Sequence, residues 1–283
     1  MATARDIRRR IRSVKNTQQI TKAMKMVSAA KLRRAQESVL AARPYAKKIQ
    51  EVLGRLAGSA QDYSHPLLEA REVKKVGLVV ISGDRGLCGG FNANVMRMTD
   101  TFLAGTDHQA GIVAIGRKGR DYFRRRGREI TEEYINIGDN PTFIQGRELA
   151  KRVTALYLEG VFDEIYLMYT EFKTAMSQKP VTLKLLPVEP VQGNDQKPVE
   201  YIYEPSEAGV MDALLPSYVE TIVYRALLES KASEHGARMT AMSSATDNAV
   251  EIIAKLTLNL NRARQAAITK EISEIVGGAA ALQ

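Results

Sequence analysis

The chain has 283 residues, 45% of them hydrophobic, and a formal net charge of +9, which suits one large or two modest globular domains and excludes a disordered chain. Its single cysteine excludes an internal disulfide framework and fits a reducing compartment, and no apolar run approaches the ~18 residues of a membrane-spanning helix. The charge is uneven, with 15 Lys/Arg against 3 Asp/Glu in residues 1–60 and 26 against 29 in the remainder, so one N-terminal element alone points to an acidic partner.

Residues 2–57 read as one long helix. No glycine precedes Gly54, Pro44 is the only proline, and Ala, Arg, Lys, Leu, Gln, Glu and Met dominate, so propensity and the lack of breakers agree. The start is Arg-rich and acid-poor, like a transit peptide, but runs without a break into the helix and reads as mature protein. A heptad seam can be written as Ile7, Ile11, Val14, Gln18, Thr21, Lys25, Ser28, Leu32, Ala35, Val39, Ala42, Ala46, Ile49, Leu53 and Leu56, a coiled-coil stripe. Its polar members cluster between Gln18 and Ser28, where the row Ile20, Met24, Val27 competes and predicts a slip in phase. Pro44 should bend the helix without ending it. The basic run Lys22–Arg34 is either a solvated face or a surface for something acidic.

Residues 76–82 (VGLVVIS) form a continuous apolar run, as in a strand buried on both faces. A glycine-rich loop (Gly83–Gly90), a helix over 94–103, a strand over 111–116 and a basic helix over 118–126 follow. Then come a strand over 129–137, a helix over 143–159, a strand over 164–170 and an edge strand over 181–188 flanked by Pro180 and Pro187. This alternation predicts an open α/β domain with a largely parallel sheet, and residues 190–209 a return loop. The glycine loop sits where α/β domains often bind phosphate. It matches neither G-x-G-x-x-G nor the P-loop pattern, and no lysine follows it. It therefore reads as a tight turn with close helix–sheet packing. Cys88 has no readable histidine partner, and His65, His108 and His235 are too scattered for a zinc site. No catalytic residue, cofactor or metal site is expected.

Residues 210–283 predict a second long helix. Large apolar residues recur up to Leu227, small ones follow (Ser233, Ala237, Ala241, Ser244, Ala245, Ala249), and large ones return from Ile252 to Leu260. At 1.5 Å per residue each terminal helix would run roughly 80–100 Å, so each must pack on the other or on a partner. The expected architecture is α/β: a long antiparallel coiled coil of residues 1–58 and 210–283 carrying a Rossmann-like open α/β domain over 59–209. Past about Asn259 the first helix is expected to run out of residues to pair, leaving an apolar, nearly uncharged tip that suits a protein socket. On pattern alone a basic coiled coil that binds nucleic acid competes with this reading, although few aromatic residues accompany the basic ones for stacking.

Three stretches, Ile20–Gln36 (ITKAMKMVSAAKLRRAQ), Ser82–Asn92 (SGDRGLCGGFN) and Arg264–Leu282 (RQAAITKEISEIVGGAAAL), resemble the gamma-subunit family of F-type rotary ATP synthases across nearly the full chain. The last stretch meets the family signature at Ile268, Thr269, Glu271, Glu274, Gly278 and Ala279. The chain lacks the cysteine-bearing insertion of the chloroplast branch, and with no presequence it is expected to be bacterial. The resemblance implies a non-catalytic rotor shaft that couples proton flow through a membrane ring to ATP synthesis or hydrolysis. Its partners would be three alpha and three beta subunits, the epsilon subunit and the c-ring, with no nucleic acid and no small-molecule substrate. The expected place is peripheral, on the cytoplasmic face of the bacterial cell membrane. The basic residues Lys22, Lys25, Lys31, Arg33 and Arg34 would meet acidic beta loops. Met24 and Lys25 match the contact with the lever loop of beta, Arg264 and Gln265 the pair that bonds its catch loop, and the signature residues Thr269 and Glu271 are also expected to bind a partner. Tyr203 and Glu204 match the foot on the membrane ring. The α/β domain would bind epsilon, with its glycine loop structural.

Overall fold

The computed structural model describes residues 4–59, 65–189 and 206–280. They fall into two compact units: Ala29–Arg238 forms one, and the stretches ending at Ser28 and beginning at Met239 form the other. Two long helices contribute to both units, α1 (Ala4–Ser59) and α5 (Glu207–Ala280). Pro44 and Pro216 both lie inside these helices.

In the larger unit the strands β1 (Lys75–Ile81), β2 (Gln109–Ile115), β3 (Ile130–Tyr134), β4 (Glu164–Phe172) and β5 (Gln178–Leu186) form one sheet in the order β3-β2-β1-β4-β5. The first three pairings across it are parallel, and β4–β5 is antiparallel. β5 starts at Gln178 and takes Pro180 into the ladder opposite Thr170, which an edge strand tolerates because one of its sides needs no donor. The helices α2 (Phe91–Ala104), α3 (Arg117–Arg125) and α4 (Phe143–Leu158) complete the α/β layers. A Thr142–Gln145 capping box starts α4, satisfying donors a helix otherwise leaves open.

Side chains alternate along the strands, so each run feeds two cores. Val76, Leu78 and Val80 of β1 join Ile112 and Ala114 of β2 against Val95 and Met96 of α2 and Phe123 of α3. Val79 and Ile81 belong to the other face, with Leu149 and Val153 of α4, Ile49 and Leu53 of α1, and Leu215, Val219 and Val223 of α5. The sheet is thus covered on one side by α2 and α3, and on the other by α4 and the long helices. At ~25 cal/mol per Å² of apolar surface removed from water, this second layer explains how the two long helices are held without relying on propensity.

The smaller unit is an antiparallel helix pair. Thr21 and Thr246 exchange a hydroxyl hydrogen bond of 2.8 Å, and Lys25 Nζ donates to Ser243 Oγ at 2.9 Å. Counting three and four residues in opposite directions from the threonine pair sets Gln18 opposite Ala249, Val14 opposite Ile253, Ile11 opposite Leu256, Ile7 opposite Leu260 and Ala4 opposite Ala263. Every one of these residues is buried or half-buried, as a heptad seam requires.

The expected slip in phase does not occur. Ile20 is 60% and Val27 54% exposed, whereas Thr21 and Ser28 are buried. The Thr21 hydroxyl can sit in the seam because the Thr246 hydroxyl meets it there. The overhang also starts later than Asn259: Ala263 is still half-buried, and residues 264–277 are exposed on every side.

Candidate partner-docking surfaces

Two exposed surfaces in the smaller unit carry residues singled out by the sequence. The first lies on α1. Ile20, Met26 and Val27 expose large apolar side chains, with Met24 half-buried between them and Lys22 exposed beside them. The row that resembled a competing seam therefore turns outward at Ile20 and Val27, which leave more than half of their apolar surface uncovered. Lys25 is exposed along its stem but tied by its ammonium to Ser243.

The second surface is the tip of α5. Arg264, Gln265, Thr269 and Glu271 are all exposed, interleaved with Ile268, Ile272, Ile275 and Val276, of which Ile275 reaches 72%. Ile268, Ile272 and Ile275 follow the i, i+4, i+7 spacing of one helix face. Lys270 and Glu274 pair across a turn at 3.5 Å. A helix turn with apolar and hydrogen-bonding groups on the same exposed surface is chemically suited to a socket that is itself part apolar and part polar.

In the larger unit Arg33 is exposed and holds Glu37 at 3.3 Å, and Arg34 is exposed. Lys31 differs from its neighbours. Its ammonium donates to Asp139 Oδ2 at 2.7 Å, which binds α1 to the segment between β3 and α4. Tyr203 and Glu204 lie outside the described residues.

The glycine loop is packed against protein groups. Gly83 N–H donates to Asn92 Oδ1 (2.8 Å), Lys118 N–H donates to the Gly83 carbonyl (3.1 Å), and Asp84 accepts from the backbone of Arg117 (3.0 Å). A Cβ on Gly83 would come 3.1 Å from the carboxyl carbon of Glu234, so glycine permits the close approach of loop and α5. Cys88 is buried, Asn92 Nδ2 donates to its sulfur at 3.1 Å, and burial pushes the thiol up despite nearby Arg238, which makes it a poor nucleophile at neutral pH.

Sequence reasoning missed a buried charge cluster on α5. Glu234 bonds Arg238 at 2.7 Å and Lys231 at 3.2 Å, and Arg225 bonds Glu229 at 2.8 Å. Burial pushes the Glu234 carboxyl up, but Lys231 and Arg238 overcome this and hold it below its ordinary range. In sequence this stretch reads as a polar helix face. The only hint was the i, i+4 spacing of Arg225–Glu229 and Glu234–Arg238. Among the described residues no cluster of His, Cys, Asp and Glu is arranged to hold a metal ion.

A family model described as ATP synthase matches residues 3–282. The ATP synthase gamma chain of Desulforamulus reducens is 61% identical over the whole of both chains, and that of Desulfitobacterium hafniense 59%. Among solved structures, the central stalk and c-ring assembly of the Tetrahymena thermophila mitochondrial ATP synthase contains a chain that superposes with a TM-score of 0.62 at 28% identity, covering 80% of this chain and 99% of that one. A chain of the Euglena gracilis mitochondrial ATP synthase matches with a TM-score of 0.67 over 99% of this chain and 94% of its own, at 21% identity, a likeness of fold.

Proposed function

Because the chain belongs to the ATP synthase gamma-chain family, we propose that it is the central rotor shaft of an F-type ATP synthase and carries no catalytic site itself. It couples proton translocation through the membrane ring to ATP synthesis or hydrolysis in the alpha/beta ring. The observation that supports this best is the α5 tip, where residues 264–277 continue as helix beyond the last paired residue, Ala263, with four large apolar side chains exposed. An element that leaves so much apolar surface in water is built to be covered.

The partners that follow are three alpha and three beta subunits, epsilon and the c-ring. Met24 and Lys25 would face the beta lever loop, Arg33 and Arg34 acidic beta loops, Arg264 and Gln265 the beta catch loop, with Thr269 and Glu271 further partner-binding residues. Tyr203 and Glu204 would sit on the membrane ring. Residues 1–58 and 210–283 act as the shaft, and residues 59–209 as the flank that binds epsilon. The family points to a peripheral place, on the cytoplasmic face of a bacterial cell membrane; no helix among the described residues is long and apolar enough to cross a membrane. The nucleic-acid-binding alternative has no counterpart among the relatives described above.

The test is assembly. Mixed with purified alpha and beta subunits, the chain should give a complex with one copy per six-subunit ring and raised ATPase activity. Salt-sensitive binding to DNA, with no such complex, would overturn the assignment.

A further inference from the structure

His235 of α5 is 1% exposed, and the shaft role makes no use of it. Its Nδ1 lies 3.5 Å from Arg238 Nη1, and its Nε2 lies 3.7 Å from Asp139 Oδ1 with no hydrogen-bond partner. A guanidinium can only donate, so Nδ1 keeps its lone pair toward Arg238 and the ring hydrogen sits on Nε2, toward Asp139. The ring is a neutral spacer between a cation and a carboxylate.

Arg238 in turn holds the glycine loop. One of its nitrogens, Nη2, donates to Glu234 Oε1 at 2.7 Å and to the Gly86 carbonyl at 3.3 Å. We propose that the Gly83–Gly90 loop is a latch seated on α5 by Arg238, and that protonation of His235 releases it. The proton comes from solvent and can enter only at Nδ1, where the new N–H points at a guanidinium that cannot accept it. Arg238 is displaced, and the loop loses its bond at the Gly86 carbonyl.

The surrounding charges set the direction. Burial holds the imidazole below its ordinary value. Glu234 and Asp139 oppose that shift, and Arg238 and Lys231 add to it. Asp139 is itself neutralised by Lys31 of α1, which weakens the one carboxylate facing Nε2. The closed latch therefore resists protonation, and an open one, with Arg238 moved off Nδ1, takes up its proton nearer the ordinary histidine value of about 6.5. Opening is thus linked to one proton and should grow by up to about tenfold per pH unit below that value.

Cys88 is the sole cysteine and is buried inside the latch, so a thiol-labelling reagent reports opening without background. Labelling rates of the full-length chain and of its His235→Gln variant are measured from pH 7.5 to 5.5. The intrinsic fall in thiolate with pH is common to both and cancels in their ratio. The ratio of wild type to variant should stay near one at neutral pH and rise steeply below pH 6.5. A ratio that stays flat overturns the latch. If His235→Gln does not fold, amide-exchange protection in the wild type decides: it should fall at residues 83–90 on acidification but not at 75–81. Equal change in both segments refutes the proposal.

Discussion

Glu234 answers two buried cations at once, and the magnitudes make it the most sensitive side chain of the cluster. Removing one partner of a buried pair leaves the other charge uncompensated and costs about 3–5 kcal/mol. Glu234→Gln strands both Lys231 and Arg238, so denaturant unfolding should show a loss at or above that range, far beyond the ~0–1 kcal/mol of an exposed pair such as Arg33–Glu37. The pH dependence follows from the directions of the shifts. The folded carboxyls of Glu234 and Asp139 are held low, so on acidification the unfolded chain binds protons first. Their stabilisation is full above the ordinary carboxylate values of about 4 and is lost as pH falls through the lower folded values. His235 is also held low, and its contribution drains earlier, from about pH 6.5 downward. Unfolding midpoints should therefore fall in two stages on acidification, and His235→Gln should flatten only the upper stage. At the seam, Thr21→Val removes the bond to Thr246 and should cost about 1 kcal/mol, the net value of one such bond.

Helix pairing sets the next scale. The row of α5 that faces α1 is Met242, Thr246, Ala249, Ile253, Leu256, Leu260 and Ala263, and its tightest small residue is Ala249, which is buried. Ala249→Leu pushes a larger side chain toward Gln18 and should destabilise by about 1–3 kcal/mol, the usual cost of overpacking. Gln18→Ala in the same chain should recover part of that loss. Ala241 and Ala245, half-buried, should tolerate leucine better. These rows show what periodicity can and cannot tell. The 3.5-residue repeat was legible in α1 from Ile7 to Leu53, and the strands were legible as apolar runs. Thr21 looked like a failure of the seam because its hydroxyl partner, Thr246, sits on the other helix, 225 residues away. The same limit hid the α5 cluster. Lys231, Glu234, His235 and Arg238 are polar by composition but buried in the fold, where Gly83 meets Glu234, Gly86 meets Arg238 and Asp139 lies beside His235. Of the docking surfaces, the α5 tip was legible as an unpaired apolar end. The outward face of Ile20 and Val27 was visible only as an apparent competitor to the seam.

As a whole molecule, the chain is a shaft that turns inside the alpha/beta ring. Replacing Arg264 and Gln265 together by alanine should lower ATP turnover of the assembled complex more than it lowers assembly, because exposed side chains contribute little to the folding of the chain itself. Equal losses in both, or normal turnover, would make them bystanders. The most direct measurement fixes the alpha/beta ring to a surface, attaches a bead to the α/β part of this chain and follows it during ATP hydrolysis. The expected result is unidirectional stepwise rotation, with steps of one third of a turn set by the three beta subunits. Sustained hydrolysis at the assembled rate with a stationary bead would contradict it.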